Sequence, residues 1–204
     1  MSRKEGADSG SRGEWKRILP WAAGAAVLAV HLLLTFHFLP PSIVFDDRPV
    51  PLFDHELHAG EVWAVTGAMD GWGRSWAYDP LLLAGYPAGA LFNVGGHGRE
   101  LFVFVLWKLG VDRAVGFNVS VLLAHLLLPL VVWWSARLFD PGRWRSVLSV
   151  LFAVLLWHFD SFTHGCWWVG MVTFATAGYW VLLPLASLYR WIRKGRWPVL
   201  VLLA

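Results

Sequence analysis

From Ile18 to Leu39 the chain carries no Asp, Glu, Lys or Arg, and this apolar run constrains whatever is built on it. At about 1.5 Å of rise per residue, some 22 helical residues cover the roughly 30 Å hydrocarbon core of a bilayer. A cleaved secretory signal has an apolar region of roughly 7–15 residues and a small-residue cleavage site. Pro40-Pro41 closes this run without such a site, so it reads as a retained span. Hydrophobic residues make up 57% of the chain and charged residues 15%. Soluble domains hold roughly 45–50% and 25%, so an integral membrane protein is expected. The net charge of +3 does not point to nucleic acid, because the cations lie in short clusters flanking apolar runs. Fifteen tryptophans suit the headgroup zone at span ends. Cys166 is the one cysteine, which excludes an intrachain disulfide.

The expected fold class is all-α: a polytopic transmembrane helix bundle with a long extracytoplasmic first loop containing interfacial helices. Residues 1–17 form a polar tail with Arg3, Lys4, Arg12, Lys16 and Arg17, cytoplasmic by the positive-inside rule. Spans are expected at about 18–39, 114–136, 147–159 and 169–189, with the outer loop at 40–112. Within that loop Leu101–Leu109 is apolar but too short to cross, and suits an interfacial or re-entrant helix. Arg137, Arg143 and Arg145 mark one inner turn, with Asp140-Pro141-Gly142 as its bend, and Arg190, Arg193, Lys194 and Arg196 mark the next. A short outer loop is expected at 160–168. A fifth apolar run starts at Pro198 and stops after a few residues, so the sequence reads as the N-terminal part of a longer protein. The expected location is the inner (plasma) membrane with the N-terminus in the cytoplasm.

The chemistry-bearing residues are concentrated in the outer loop. Asp54 and His58 stand four apart, so on a helix they share a face that Glu61 extends. Phe53, Leu57, Ala64 and Ala68 would supply the apolar side. Such a stripe suits a site at the membrane surface, and equally an acidic helix whose charges merely hold it in the interface. Further on come Trp76-Ala77-Tyr78-Asp79-Pro80 and Ala84-Gly85-Tyr86-Pro87. Their turn residues fix a bend lined by aromatics, either a rigid packing element or a surface on which Trp76 and Tyr86 stack against a sugar or headgroup.

Asp-x-x-x-His, then an aromatic-x-x-Asp-Pro turn, then Ala-Gly-Tyr-Pro in the first outer loop resembles polytopic glycosyltransferases of the GT-C type. Among these the chain is most similar to the bacterial and archaeal membrane proteins called 6-pyruvoyl-tetrahydropterin-synthase-related. The resemblance covers roughly residues 15 to 200, with the motifs in the first third. It implies transfer of a sugar from a polyprenyl-phosphate donor on the extracytoplasmic side, with Asp54 as acid/base or metal-holding carboxylate and His58 as its orienting partner. Glu61, Trp76, Asp79, Tyr86 and Arg99 are the substrate-binding candidates, Glu61 by its place on the helix face and Arg99 by the Gly-rich run before it. The cofactor stays open, with a divalent metal ion on Asp54 as one alternative, and no residue set is assigned as a metal site. Implied partners are membrane lipid, the polyprenyl-phosphate sugar and an acceptor of unknown identity, with no nucleic acid. The alternative is a non-enzymatic membrane protein, either a lipid-binding scaffold or part of a transporter.

The chain departs from the family after this bend. Asn93-Val94-Gly95-Gly96-His97-Gly98-Arg99-Glu100 replaces a Pro- and Tyr-rich stretch. Its backbone N–H groups and Arg99 could meet a phosphate, or the run could be a hinge; it lacks the Gly-Lys-Ser/Thr of a nucleotide loop. His158, Asp160 and His164 have no diagnostic metal spacing and suit a polar rim. His31, His37 and His125 are expected to pack between helices, and Gly170, Ala175 and Gly178 to permit close helix contact. The sequon Asn118-Val119-Ser120 lies inside a span and is discarded.

Overall fold

A computed structural model describes residues 8–51, 53–80, 85–88, 97–139 and 142–195, the side chains of 8–14, Asp79 and Tyr86 excepted. In chain order it contains α1 (Asp8–Phe38), α2 (Pro41–Val44), α3 (Asp54–Trp72), β1 (Ala77–Asp79), β2 (Tyr86–Ala88), α4 (Gly98–Lys108) and α5 (Arg113–Phe139). It continues with α6 (Arg143–Phe159), α7 (Ser161–Trp168), α8 (Val172–Trp180) and α9 (Leu182–Lys194). The protein is mostly helical. Three stretches are long and apolar enough to cross a membrane: Trp15–Phe38, Arg113–Phe139 and Val172–Lys194.

Two expectations are corrected here. The fold is mostly helical rather than all-α, because Ala77–Asp79 pairs antiparallel with Tyr86–Ala88, Tyr78 standing opposite Pro87. Gly85 makes this ribbon possible: its φ is 113°, and the Tyr78 ring lies where a Cβ would project. The segment expected as a loop at 160–168 is instead α7. Asp160 has extended backbone and accepts the Thr163 N–H at 2.8 Å, so it caps a new helix rather than ending in a coil. The α6–α7 pair, bent by 63°, passes as a fourth crossing if it is one broken span.

The last apolar stretch is interrupted at Val181. Pro184 has no N–H for the Trp180 carbonyl, which ends α8 and lets α9 restart one residue on. The fifth run from Pro198, Arg196 and the bend at Asp140-Pro141 lie outside the described residues.

The chain forms two compact units: residues up to 35 with 126–164 and 175 onward, and residues 36–125 with 165–174. In the first, Trp21 packs on Trp133 with ring centroids 5.8 Å apart, Arg143 lies over Trp21 at 5.6 Å, and Phe139 meets Tyr189 at 5.2 Å. These contacts gather the start of α1, the end of α5, the start of α6 and the end of α9 at one end of the unit. Exposed Trp15, Trp21, Trp134 and Trp144 belong to these same helix ends. The second unit is built on α3. Arg113 lies over Trp63 at 5.3 Å and Trp107 at 4.6 Å, while Lys108 pairs with Asp70.

Candidate functional site

The start of α3 is set by an unusual junction. Phe53 has φ 44° and ψ −115°, a conformation that costs a bulky L-residue on the order of 1–3 kcal/mol. Two hydrogen bonds hold it: Asp54 N–H donates to the Val169 carbonyl at 2.9 Å, and His55 donates from Nε2 to the Trp167 carbonyl at 3.2 Å. Gly170 permits the approach. Its φ is 104°, and a Cβ there would sit 2.5 Å from the His55 nitrogen. Gly170 therefore serves a turn pressed on α3, not the helix packing expected of it, and Gly178 has open space beside it.

His55 is 2% exposed. Burial pushes its pKa down from 6.5 to about 4, with the Trp167 carbonyl pulling the other way and Arg99 adding to the depression. The ring is thus neutral near pH 7. Since a carbonyl only accepts, Nε2 carries the hydrogen. The bare Nδ1 has no hydrogen-bond partner among the described residues, and His55 lines a cavity of about 10 Å³ with Val50, Val121, His125 and Trp167. That is about the size of one water.

The buried face of α3 is His55, Ala59, Glu61, Val62, Val65, Thr66 and Ala68. This corrects the expected apolar side: Phe53 is 73% exposed, and Leu57 and Ala64 are only half-buried. Asp54 is exposed at the first turn. One turn on, His58 Nδ1 meets Glu61 Oε2 at 3.1 Å, Glu61 being buried and His58 half-buried. Arg99 on α4 bonds the Thr173 hydroxyl and lies 5.7 Å over the Phe117 ring. Burial lowers the Arg99 pKa, while Glu100 and Glu61 oppose that shift. Asp54, His58 and Arg99 thus all act electrostatically on the buried His55, and Glu61 acts on Arg99.

The remaining candidates sit elsewhere. The β1–β2 ribbon packs where Ala88 meets Val65, beside Ala64 and Met69. Val65 is eleven residues along α3 from Asp54, about 16 Å at helical rise. Trp76 is exposed, with Arg74 over its ring at 5.3 Å. The Asp79 and Tyr86 side chains lie outside the described residues, although their backbones pair. The Gly-rich run 93–96 is also outside them.

Among the described residues no three His, Cys, Asp or Glu side chains converge as a metal-binding group. Asp160 caps α7, and His158 is buried with its Nε2 3.1 Å from His31 Nδ1, so the expected polar rim at 158–164 is partly a packing element. His125 is also a packed histidine, bonding the Val121 carbonyl at 2.9 Å and lying edge-on to Trp167.

Sequence reasoning missed the roles of four residues. His55 follows the spacing 55–59–62–66, a buried-helix signal overshadowed by the charges beside it. Asn118 is 1% exposed; its amide accepts the Val50 N–H at 3.0 Å and donates to the Ile43 and Arg48 carbonyls at 3.1 and 2.9 Å. The His31–His158 pair joins positions too distant in sequence for any local pattern to show. No known protein family, curated protein or solved structure matches this chain.

Proposed function

We propose that this chain belongs to a polytopic membrane glycosyltransferase that takes a sugar from a polyprenyl-phosphate donor at the extracytoplasmic face. The observation that carries this reading is the exposed Asp54 carboxylate in the first turn of α3, one turn before the His58–Glu61 pair, with the Arg99 charge acting on His55 and feeling Glu61. Asp54 accepts the proton of the acceptor hydroxyl as its oxygen bonds the anomeric carbon. The bond from that carbon to the lipid phosphate breaks, and the phosphate leaves with the electron pair. Arg99 supplies the cation that offsets charge on the departing phosphate. A lipid-borne donor keeps its phosphate at headgroup level, where a short loop helix can reach it.

Topology supports the same side for this chemistry. The cationic ends of α1, α5, α6 and α9 share one end of their unit, as the positive-inside rule expects of the cytoplasmic end. The segment bearing α3 follows, in the chain, an apolar helix long enough to cross a membrane.

The test is transfer of label from a polyprenyl-phosphate sugar in membranes carrying wild-type or variant protein. Asp54→Asn keeps shape but removes the base, and should lower transfer by at least about 10²-fold with insertion unchanged. His58→Ala should lower it less. Full activity in Asp54→Asn removes Asp54 from the chemistry. The second reading, a transporter part, is favoured by the His31–His158 pair within apolar helices; it expects no transfer from wild type either.

A further inference from the structure

His58 and Glu61 stand three apart on α3, and Nδ1 of the imidazole meets Oε2 of the carboxylate at 3.1 Å. Their exposures differ: 21% of the His58 side chain reaches solvent, against 3% for Glu61. A buried carboxylate thus backs a ring that opens outward. A pair placed for helix stability alone stands on the surface, where it contributes little. Burying its carboxylate adds a desolvation cost that such a pair does not repay. This pair is therefore built for something else.

The charges of Glu61 and Arg99 attract each other, and a nearby cation favours the ionised carboxyl. An ionised carboxylate only accepts, so the hydrogen between the two atoms belongs to His58 Nδ1. In the neutral ring Nε2 is then bare. It makes no hydrogen bond among the described residues and is not one of the buried unpaired atoms, so a ligand can reach it. His55, three residues earlier, is arranged the other way. Its Nε2 donates to the Trp167 carbonyl, and the ring is 2% exposed. The two histidines are held in opposite tautomers, and His58 is the one that reaches solvent.

A bare imidazole nitrogen accepts and cannot donate. An ionised phosphate has no hydrogen to give it, whereas a hydroxyl has. Asp54, one turn back on the same face, is a second acceptor, its Cβ roughly 5–6 Å from that of His58 at helical spacing. Two acceptors side by side suit a ligand that carries two hydroxyls.

We propose that Glu61 is a positioning residue that fixes His58 as the Nδ1–H tautomer, so that His58 Nε2 accepts a hydrogen bond from a second hydroxyl of a sugar acceptor bound at Asp54. The acceptor's place at Asp54 rests on the glycosyl-transfer reading, whereas the tautomer rests on the pair itself.

The test records 15N spectra of the full chain in detergent with labelled histidine, His58 being assigned by its loss in His58→Gln and titrated until the ring is neutral. Nδ1 should then resonate as a protonated nitrogen and Nε2 as a bare one, with His55 showing the reverse. Glu61→Met keeps the volume but cannot accept, and should move part of the hydrogen to Nε2. A neutral wild-type His58 with its hydrogen on Nε2 overturns the proposal, as does a tautomer unchanged in Glu61→Met. Should that variant fail to fold, the wild-type spectrum decides alone. Methyl glucoside in excess should move the His58 Nε2 resonance upfield, and inorganic phosphate should not. A response to phosphate in place of the glucoside overturns the hydroxyl assignment. Sugar transfer is read separately, so a wild type that transfers nothing overturns the glycosyltransferase reading while the tautomer result stands.

Discussion

His55 is held neutral by burial while its Nε2 hydrogen goes to the Trp167 carbonyl, and this ties the start of α3 to pH. In the unfolded chain the ring takes up a proton near pH 6.5; folded, only near 4. Between those values the unfolded state binds more protons, so stability falls as pH drops through the window. The loss is about 1.4 kcal/mol per unit, roughly 3 kcal/mol across it. Hydrogen exchange of amides 54–58 should therefore accelerate between pH 6.5 and 4 beyond the intrinsic pH effect. His55→Gln keeps a donor for Trp167 but does not titrate, and should flatten the excess; an unchanged pH profile in that variant assigns the effect to another group. Gly170→Ala tests the same junction from the facing side. At φ 104°, with His55 backbone in the way, the methyl should cost about 3 kcal/mol or more, read as a lowered midpoint in thermal unfolding. Neither residue could be ranked from sequence. Gly170 looked like any small residue in an apolar run, and His55 needed Trp167, a partner 112 positions away, to acquire a role.

Helices were legible where length and hydropathy speak together. The span expected at 114–136 falls within the apolar helix Arg113–Phe139 and the one at 18–39 overruns Trp15–Phe38 by a single residue, because a long uncharged run has few alternatives to a helix. The one expected at 169–189 begins three residues later, at Val172, since Gly170 turns the chain away from helix first. Short elements were not legible. The β1–β2 ribbon has three residues per strand, and α7 has eight; neither holds enough periodicity to outweigh the turn residues around it. Orientation remains to be tested at this scale. In a Cys166→Ser background, Gly71→Cys at the end of α3 should react with an impermeant thiol reagent on intact cells. Gly142→Cys, before α6, should react only after the membrane is opened. The reverse pattern inverts the topology and moves Asp54 to the cytoplasmic side.

At the scale of the whole molecule, attachment to the membrane and construction of the α3 unit rest on different forces. Among the described residues three helices are long and apolar enough to hold the chain in a membrane, by a hydrophobic transfer that neither salt nor alkali weakens much. The segment from Ile43 to Val50, by contrast, is fastened to α5 largely by one amide. Asn118 is buried, and its side chain satisfies the Val50 N–H together with the Ile43 and Arg48 carbonyls. An Asn in an apolar helix costs free energy unless its amide is bonded, and here it is bonded on both ends. The sequence marks Asn118 as polar in an apolar run, but its partners lie 68 to 75 positions back and no local rule connects them. Asn118→Ala leaves those backbone groups without their buried partner, at about 1–3 kcal/mol each where water cannot replace it. The two forces should therefore separate. After extraction with carbonate at about pH 11, wild type and Asn118→Ala should both stay with the membrane pellet, since apolar helix length is unchanged. An Asp-specific protease that cuts before aspartate should cleave the variant ahead of the exposed Asp47 at least about tenfold faster, because cleavage follows the population of the opened segment. Equal cleavage rates mean the segment is fastened by other contacts. Loss of the variant from the pellet makes Asn118 necessary for insertion itself.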